Sequence, residues 1–289
     1  MKPINRRRAL RIVFGVIALA FVVGALLSTW DETQNQKLPD PFTLTLAGVL
    51  VVSALVGGGI SWHALFGKDA PRRLISDFYL AHLGKYVPGG GIWQAAGQVG
   101  LSANSELSAT RVTTNLAVHG VIQLSAALTV GGFLVFNTDL AWWLRIVCGL
   151  GLAAPLFLHR SWMAFVLDRV GRRLGLDATQ ASPPDQRTII RSWLWGLLPI
   201  TGFSAAFGLM IHALEPGVGV LESAPAFAMG WAVGFALIPF PAGLGVREAA
   251  LVALVGGSTA VTVAVSMTLR LLAVGGDLIL VSVTRKIRT

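Results

Sequence analysis

The sequence predicts an all-α, polytopic integral membrane protein with about seven to eight transmembrane helices plus re-entrant or broken helices. Of its 289 residues, 54% are hydrophobic and only 13% are charged, which is about half the charged fraction of a typical soluble protein. The apolar residues form long blocks, such as 12–27, that carry no charge, and such blocks are typical of membrane spans. The formal charge of +9 lies mainly in short segments beside these blocks, which favours topology signals over a nucleic-acid surface.

The apolar blocks predict a single transmembrane domain over 1–289, with a first half of about 10–136 and a second half of about 140–283. The block after the basic residues 1–11 ends without a small-residue exit site, so we expect an uncleaved first span. Two further apolar segments, 76–104 and 241–257, are too interrupted by Gly and Pro to be ordinary spans. The predicted spans are 10–29, 42–66, 108–136, 140–158, 191–213, 223–240 and 260–283.

The charges of the loops predict the orientation of the chain. Lys and Arg concentrate in 1–11, 67–75, 159–191 and 285–288, whereas the links 30–41, 137–139 and 214–222 are acidic apart from Lys37. The positive-inside rule therefore places both termini in the cytoplasm, and we expect a bacterial inner-membrane protein. This parity requires 241–257 either to cross the membrane or to insert and pair with its neighbour. The 159–191 link is too short for an independent catalytic domain.

The first broken segment carries the most informative motif in the chain. Pro88 is followed by three glycines, which end one helix and leave the chain free to turn before the next helix begins. The start of a helix presents free backbone N–H groups and a partial positive charge. Together with the nearby Lys85, it would suit a phosphate.

The second broken segment repeats this pattern in the other half of the chain. Residues 239–248 contain two prolines and two glycines, followed by a helix start with Arg247 and Glu248. Paired Gly/Pro interruptions in corresponding halves are typical of the central site of a transporter built as an inverted repeat. The alternative is that both segments are surface loops whose glycines permit close helix packing.

These two segments also resemble a known family. The strings Gly84-Lys85-Tyr86-x-Pro88-Gly89-Gly90…Trp93 and Pro241-x-Gly243-x-Gly245-x-Arg247-Glu248 are similar to the two signatures of the lysylphosphatidylglycerol synthase transmembrane, flippase-like family. The resemblance extends over about residues 10–283. It implies a lipid flippase fold with a re-entrant element in each half. The soluble aminoacyl-transferase domain of full-length members is lacking, so we expect a stand-alone member, and the resemblance does not identify the lipid.

Charged residues inside the last span require partners, because each costs about 2.5–3.5 kcal/mol to insert at mid-bilayer. Arg270 and Asp277 lie on one helix face but about 10 Å apart along the axis, so each is expected to pair with another helix. Arg270 would meet Glu248, and Asp277 would meet Arg247 or Lys85. Two interpretations stay open: static pairing that locks the bundle, or a role with head groups or protons.

The third span carries a second polar stripe. Arg111, Asn115, His119 and Gln123 follow one another at intervals of four residues, which keeps them on one side of a helix. This stripe would line a groove for a head group, or it would form hydrogen bonds between helices.

The motifs that the sequence lacks restrict its function. It contains no P-loop, H-E-x-x-H, G-x-S-x-G or D-x-D string, and only one cysteine, Cys148. The lack of a recognisable catalytic motif favours a transporter over an enzyme, and we expect no cofactor, metal or nucleic-acid partner. The favoured hypothesis is a flippase that moves a phosphate-bearing lipid between leaflets without its own ATPase. The alternatives are an intramembrane transferase for a lipid-linked substrate and a non-transporting partner of a lipid-synthesising enzyme; self-association stays open. The predicted substrate-binding residues are Lys85, Tyr86, Pro88, Gly89, Gly90, Trp93, Arg111, His119, Pro241, Gly243, Gly245, Arg247, Glu248, Arg270 and Asp277.

Overall fold

The computed structural model describes residues 39–68, 70–86, 90–103, 107–137, 139–173, 182–236 and 246–287. All regular structure in these ranges is helical, which confirms the predicted fold class there. Short 3₁₀ turns occur at Leu83–Tyr86, Gly132–Phe136, Gly151–Leu158 and Arg285–Ile287. The α-helices are α1 (Pro41–Ala64), α2 (Arg73–His82), α3 (Gly90–Ser102), α4 (Ala109–Gly131), α5 (Trp142–Leu150), α6 (Arg160–Arg173), α7 (Gln186–Leu214), α8 (Val220–Ala236), α9 (Val246–Val255) and α10 (Thr259–Thr284).

Four helical stretches are long and apolar enough to cross a membrane within the described ranges: Pro41–Ala64, Ala109–Phe136, Gln186–Leu214 and Thr259–Thr284. A fifth results if Trp142–Leu158 and Arg160–Arg169, which meet at a bend of 92°, form one span. The chain is therefore a helical protein with several membrane-capable helices. The predicted first span, 10–29, lies outside the described residues, and the total of seven to eight spans stays a prediction.

Aspartate caps fix where two of these helices begin. Asp40 accepts hydrogen bonds from the backbone N–H groups of Phe42 and Thr43 at the start of α1, and Asp185 accepts one from Thr188 at the start of α7. Hydrogen bonds from Thr43 hold the pKa of Asp40 below its usual value, so this cap is ionised at neutral pH and complements the helix dipole. Because of its cap, α7 begins at Gln186, earlier than the predicted residue 191.

Helices α1 and α7 form the central antiparallel pair of the bundle. A side chain at Gly202 would place its Cβ 2.9 Å from Ala54 Cβ, so the glycine permits close approach of the two backbones. Further along α1, towards its C-terminal end, Ser61 Oγ donates to the carbonyl of Ser192 at 2.9 Å. Ser192 Oγ donates in return to the carbonyl of Ser61 at 2.8 Å. Small residues and hydroxyl bonds are the usual means of packing helices in lipid.

The bundle has a basic end and an acidic end. At the basic end α1 finishes and α4 and α7 begin, because Arg111 of α4 donates to the carbonyl of Phe66 and Ser192 of α7 meets Ser61. Helix α10 runs parallel to α1, so it also ends there. At the acidic end Glu215, after α7, accepts from the N–H of Ser258, just before α10. The exposed basic residues Lys68, Arg72, Arg187, Arg285 and Lys286 accompany the helix termini at the basic end.

The first broken segment is a helical hairpin inserted from the basic end. Helices α2 and α3 are antiparallel: Arg73 donates to the carbonyl of Ser102 at the open end, and a Cβ at Gly84 would lie 2.8 Å from the backbone N of Gln94 near the tip. The two helices are about 15 and 20 Å long, which is less than a hydrocarbon core of about 30 Å. The predicted interruption is confirmed, although residues 87–89 lie outside the described ranges.

The described part of the second broken segment pairs with its neighbour, helix α8. Helix α8 begins beside α7, since a Cβ at Gly208 would lie 2.8 Å from the carbonyl of Val220. Helix α9 packs on α8 through Leu251 and Gly230 and ends at Val255, close to the Glu215 contact at the acidic end. Both open ends of this α8–α9 pair therefore lie at the acidic end, opposite those of the α2–α3 hairpin.

Candidate functional site

Asp277 of α10 is the centre of a cluster at the tip of the α2–α3 hairpin. Lys85 Nζ lies 2.8 Å from Asp277 Oδ2, and the Tyr86 hydroxyl donates to the same oxygen at 2.6 Å. His82 Nδ1 lies 3.0 Å from Asp277 Oδ1. The Asp277 carboxylate is fully buried, whereas the side chains of His82 and Lys85 are 17% and 22% exposed. Of the two partners that the sequence predicts for Asp277, Arg247 and Lys85, the structure shows Lys85. Three groups from one hairpin hold one carboxylate.

The second ion pair joins α9 to α10. Arg270 donates to Glu248 Oε1 at 2.6 Å, and Ser266, one turn earlier on α10, donates to the same oxygen at 3.2 Å. This is the partner that the sequence predicted for Arg270. Since Arg270 and Asp277 share a face of α10, the inserted hairpin and the α8–α9 pair meet that face at different heights along the helix.

Among the three cations near α10, Lys85, Arg247 and Arg270, Arg247 has no carboxylate bonded to it in the described part of the chain. Its guanidinium carbon lies 4.4 Å from the centre of the Phe227 ring on α8, a cation–π contact. Its buried Nε has no hydrogen-bond partner there. The charges of Arg270 and Glu248 both act on Arg247, and the charge of Arg247 acts on Lys85. Arg247 is therefore close enough to both ion pairs for their charges to interact.

Positive charge exceeds negative charge at this meeting point. Lys85, Arg247 and Arg270 are three cations, whereas Glu248 and Asp277 are two carboxylates. A surplus cation is costly at membrane depth unless an anion or water balances it. The arrangement can therefore accept an anion, and guanidinium geometry matches phosphate and carboxylate oxygens. No group of three or more His, Cys, Asp and Glu that would hold a metal ion occurs in the described ranges.

The polar stripe of α4 is divided between two environments. Arg111 is exposed and donates to the Phe66 carbonyl at 3.2 Å, and Asn115 donates to Leu65; both satisfy carbonyls at the end of α1, which is the interhelical alternative. His119, 8% exposed, contacts Gln123 at 3.2 Å. His119 also lies close to the cluster, because the Phe78 ring stacks on His82 and meets His119 edge-on.

Two of the other predicted site residues lie on α3, and the rest lie outside the described ranges. Trp93 is 43% exposed on α3, and Gly90 is the first residue of that helix. Five predicted positions in the broken segments cannot be placed in the site because they lie outside the described residues: Pro88, Gly89, Pro241, Gly243 and Gly245.

His82 and Phe227 belong to the cluster but were not among the predicted binding residues. His82 has a sequence signal, since it precedes Lys85 by three residues and so lies on the same helical face. Phe227 has none, because an aromatic ring below a cation has no characteristic spacing.

The comparisons with known proteins leave this geometry as the main guide to function. No protein-family model matches the chain, and no curated protein matches it.

Proposed function

We propose that the chain is a lipid transporter that moves a phosphate-bearing lipid between the leaflets of a membrane, without an ATPase of its own. The observation that supports this most is the surplus cation Arg247, which lies over the Phe227 ring and within electrostatic reach of both ion pairs of α10. An ionised phosphate without partners cannot enter hydrocarbon at an acceptable cost. Arg247, Lys85 and Arg270 would replace its water while the acyl tails stay in the surrounding lipid.

The opposite orientation of the two inserted segments favours alternating access. The α2–α3 hairpin opens to the basic end and the α8–α9 pair opens to the acidic end, so a head group between them could be reached from either side in turn. This arrangement is what an inverted repeat would produce, and it agrees with the resemblance to the flippase-like family. Rocking of one segment against α10 would exchange the bonds to Asp277 and Glu248 for bonds to the lipid phosphate.

The membrane and its orientation are part of this proposal. Basic residues at the end where α10 finishes support a cytoplasmic C-terminus in a bacterial inner membrane. A C-terminal fusion to alkaline phosphatase should be inactive in cells, and the same fusion to a green fluorescent protein should fluoresce. Active phosphatase would reverse the assignment.

Leaflet exchange by the purified protein tests the function. Liposomes that contain fluorescent phosphatidylglycerol are treated with dithionite, which bleaches only the outer leaflet, and the wild type should make the inner lipid accessible. Arg247→Gln should slow exchange about tenfold or more, because a hydrogen bond to a charged group contributes about 1.5–3 kcal/mol. The control is Arg111→Gln, which alters the Phe66 contact and should keep the wild-type rate. Exchange by Arg247→Gln at the wild-type rate would overturn the site.

A second function is supported by the His82–Asp277 pair. A carboxylate 3.0 Å from an imidazole nitrogen is the arrangement of a general base with its orienting group, as an intramembrane transferase would need. The two functions differ in their product. A new lipid mass after incubation with membrane lipids would indicate a transferase, whereas a change of leaflet with no change of mass indicates transport.

A further inference from the structure

Helix α6 departs from the bundle directly after the segment Trp142–Leu158. That segment combines nine α-helical with eight 3₁₀ residues and is about 30 Å long, enough to cross the hydrocarbon core. The axis then turns by 92° into α6. If the segment stands across the membrane, α6 lies in the membrane plane.

The bend is fastened to the basic end of the bundle. The backbone N–H of Arg160 donates to Gln186 Oε1 at 2.8 Å, and Gln186 Nε2 donates to the carbonyl of Leu158 at 3.3 Å. Gln186 is the first residue of α7. Helix α6 is therefore held at the level where α7 enters the bundle, which is the depth of the head groups.

One face of α6 packs inward and the opposite face does not. Met163 is buried at 4% exposure and Leu167 packs against the core. Trp162, Phe165 and Val166 lie on the other face and are 52%, 56% and 42% exposed. Three large apolar side chains, one of them a tryptophan, are typical of a helix that rests in the boundary between head groups and acyl chains.

The charge of α6 indicates which lipids it faces. Its sequence contains four arginines, at positions 160, 169, 172 and 173, against the single acidic residue Asp168. Arg169 is exposed and follows Phe165 by one helical turn, so apolar and basic groups share the outward face. This combination complements a leaflet of anionic lipids.

We propose that α6 is an interfacial helix that inserts Trp162, Phe165 and Val166 into the leaflet at the basic end and binds anionic head groups through its arginines. The proposal does not depend on lipid transport by the central site.

Spin-label accessibility in nanodiscs tests the depth of this helix. In a Cys148→Ala background, which removes the single native thiol, nitroxides are attached at Phe165→Cys, at Leu194→Cys as the lipid reference and at Lys68→Cys as the water reference. Leu194 is 58% exposed on the span α7, and Lys68 is exposed after α1. Label 165 should relax with oxygen as label 194 does and be protected from a nickel chelate. Accessibility equal to that of label 68 would overturn the proposal.

Lipid composition tests the partner with the same label. Replacing a third of phosphatidylcholine by phosphatidylglycerol should deepen label 165, and salt at about 1 M, where the screening length falls to about 3 Å, should reverse the effect. Adding Arg169→Gln should weaken this response, whereas Arg187→Gln, an exposed arginine on α7, should not. A depth that does not change with phosphatidylglycerol would overturn the assignment to anionic lipids. Loss of transport in the Arg247→Gln protein would leave both readouts unchanged.

Discussion

Substitution of Asp277 by asparagine should destabilise the protein through the charge that it leaves behind. Asparagine has nearly the volume of aspartate, so no cavity forms. Asparagine still offers an oxygen to the Tyr86 hydroxyl, which in the wild type lies 2.6 Å from Asp277 Oδ2. What is lost is the counter-charge of Lys85, whose side chain is only 22% exposed.

The expected magnitude follows from the burial of this pair. Removing one partner of a buried ion pair costs about 3–5 kcal/mol, and partial exposure of Lys85 reduces the cost because water screens part of its charge. Hydrogen bonds from His82 and Tyr86 to a neutral acceptor are also weaker than those to a carboxylate. We therefore expect Asp277→Asn to lower the free energy of unfolding by about 2–4 kcal/mol.

A double variant separates the effect of the unpaired Lys85 charge from the effect of lost packing. Lys85→Met removes the unpaired ammonium and keeps the length of the side chain, so Asp277→Asn/Lys85→Met should be more stable than Asp277→Asn alone. The assay is equilibrium unfolding in mixed micelles, followed by tryptophan fluorescence, with Asp139→Asn at an exposed position as the control. If Lys85→Met destabilises the Asp277→Asn protein as much as it destabilises the wild type, the unpaired charge of Lys85 is not the cause of the destabilisation.

Two further predictions concern the ion pair of α10 and the packing of the bundle. Glu248→Gln should lower the free energy of unfolding by about 1–3 kcal/mol, because Arg270 loses a carboxylate at 2.6 Å. Thermal unfolding in detergent measures this change, and an unchanged midpoint would contradict the pairing. Gly202→Val should lower the free energy of unfolding by about 1–3 kcal/mol, because the added side chain would overpack against Ala54. Its control is Gly275→Ala, where nothing lies within 4 Å of the added Cβ, and equal stability of these two variants would argue against the close contact.

Much of the fold follows from apolar blocks and interruptions in the sequence. Membrane-capable helices were predicted from length and composition, and the described ones agree because lipid imposes few other structures. The cost of unpaired charge in the membrane predicted the pairing of Arg270 with Glu248 and offered Asp277 two partners, of which the structure shows Lys85. Proline and glycine predicted where helices break, but the packing of α9 on α8 through Leu251 and Gly230 is a tertiary contact that no local pattern encodes.

Other features depend on tertiary contacts and were not predicted. From the sequence, the polar stripe of α4 fitted a groove and interhelical hydrogen bonds equally well. The hydrogen bonds from Arg111 to the Phe66 carbonyl and from Asn115 to the Leu65 carbonyl assign these two residues to interhelical bonding. The turn into α6 was missed because its apolar residues are few and mixed with arginines. The Phe227 ring below Arg247 has no sequence period, so the environment of the surplus cation emerged only from the structure.

Transport by the central site requires a lipid phosphate to reach Arg247 inside the bundle. A phospholipid with a photoreactive diazirine next to its phosphate, incorporated into nanodiscs with the purified protein, locates the head group directly by mass spectrometry of the adducts. We expect adducts on Lys85, Tyr86 and residues around Arg247, which an excess of unlabelled phosphatidylglycerol removes. Adducts confined to outward-facing residues such as Trp142 and Leu156, 73% and 77% exposed, would contradict a central head-group site.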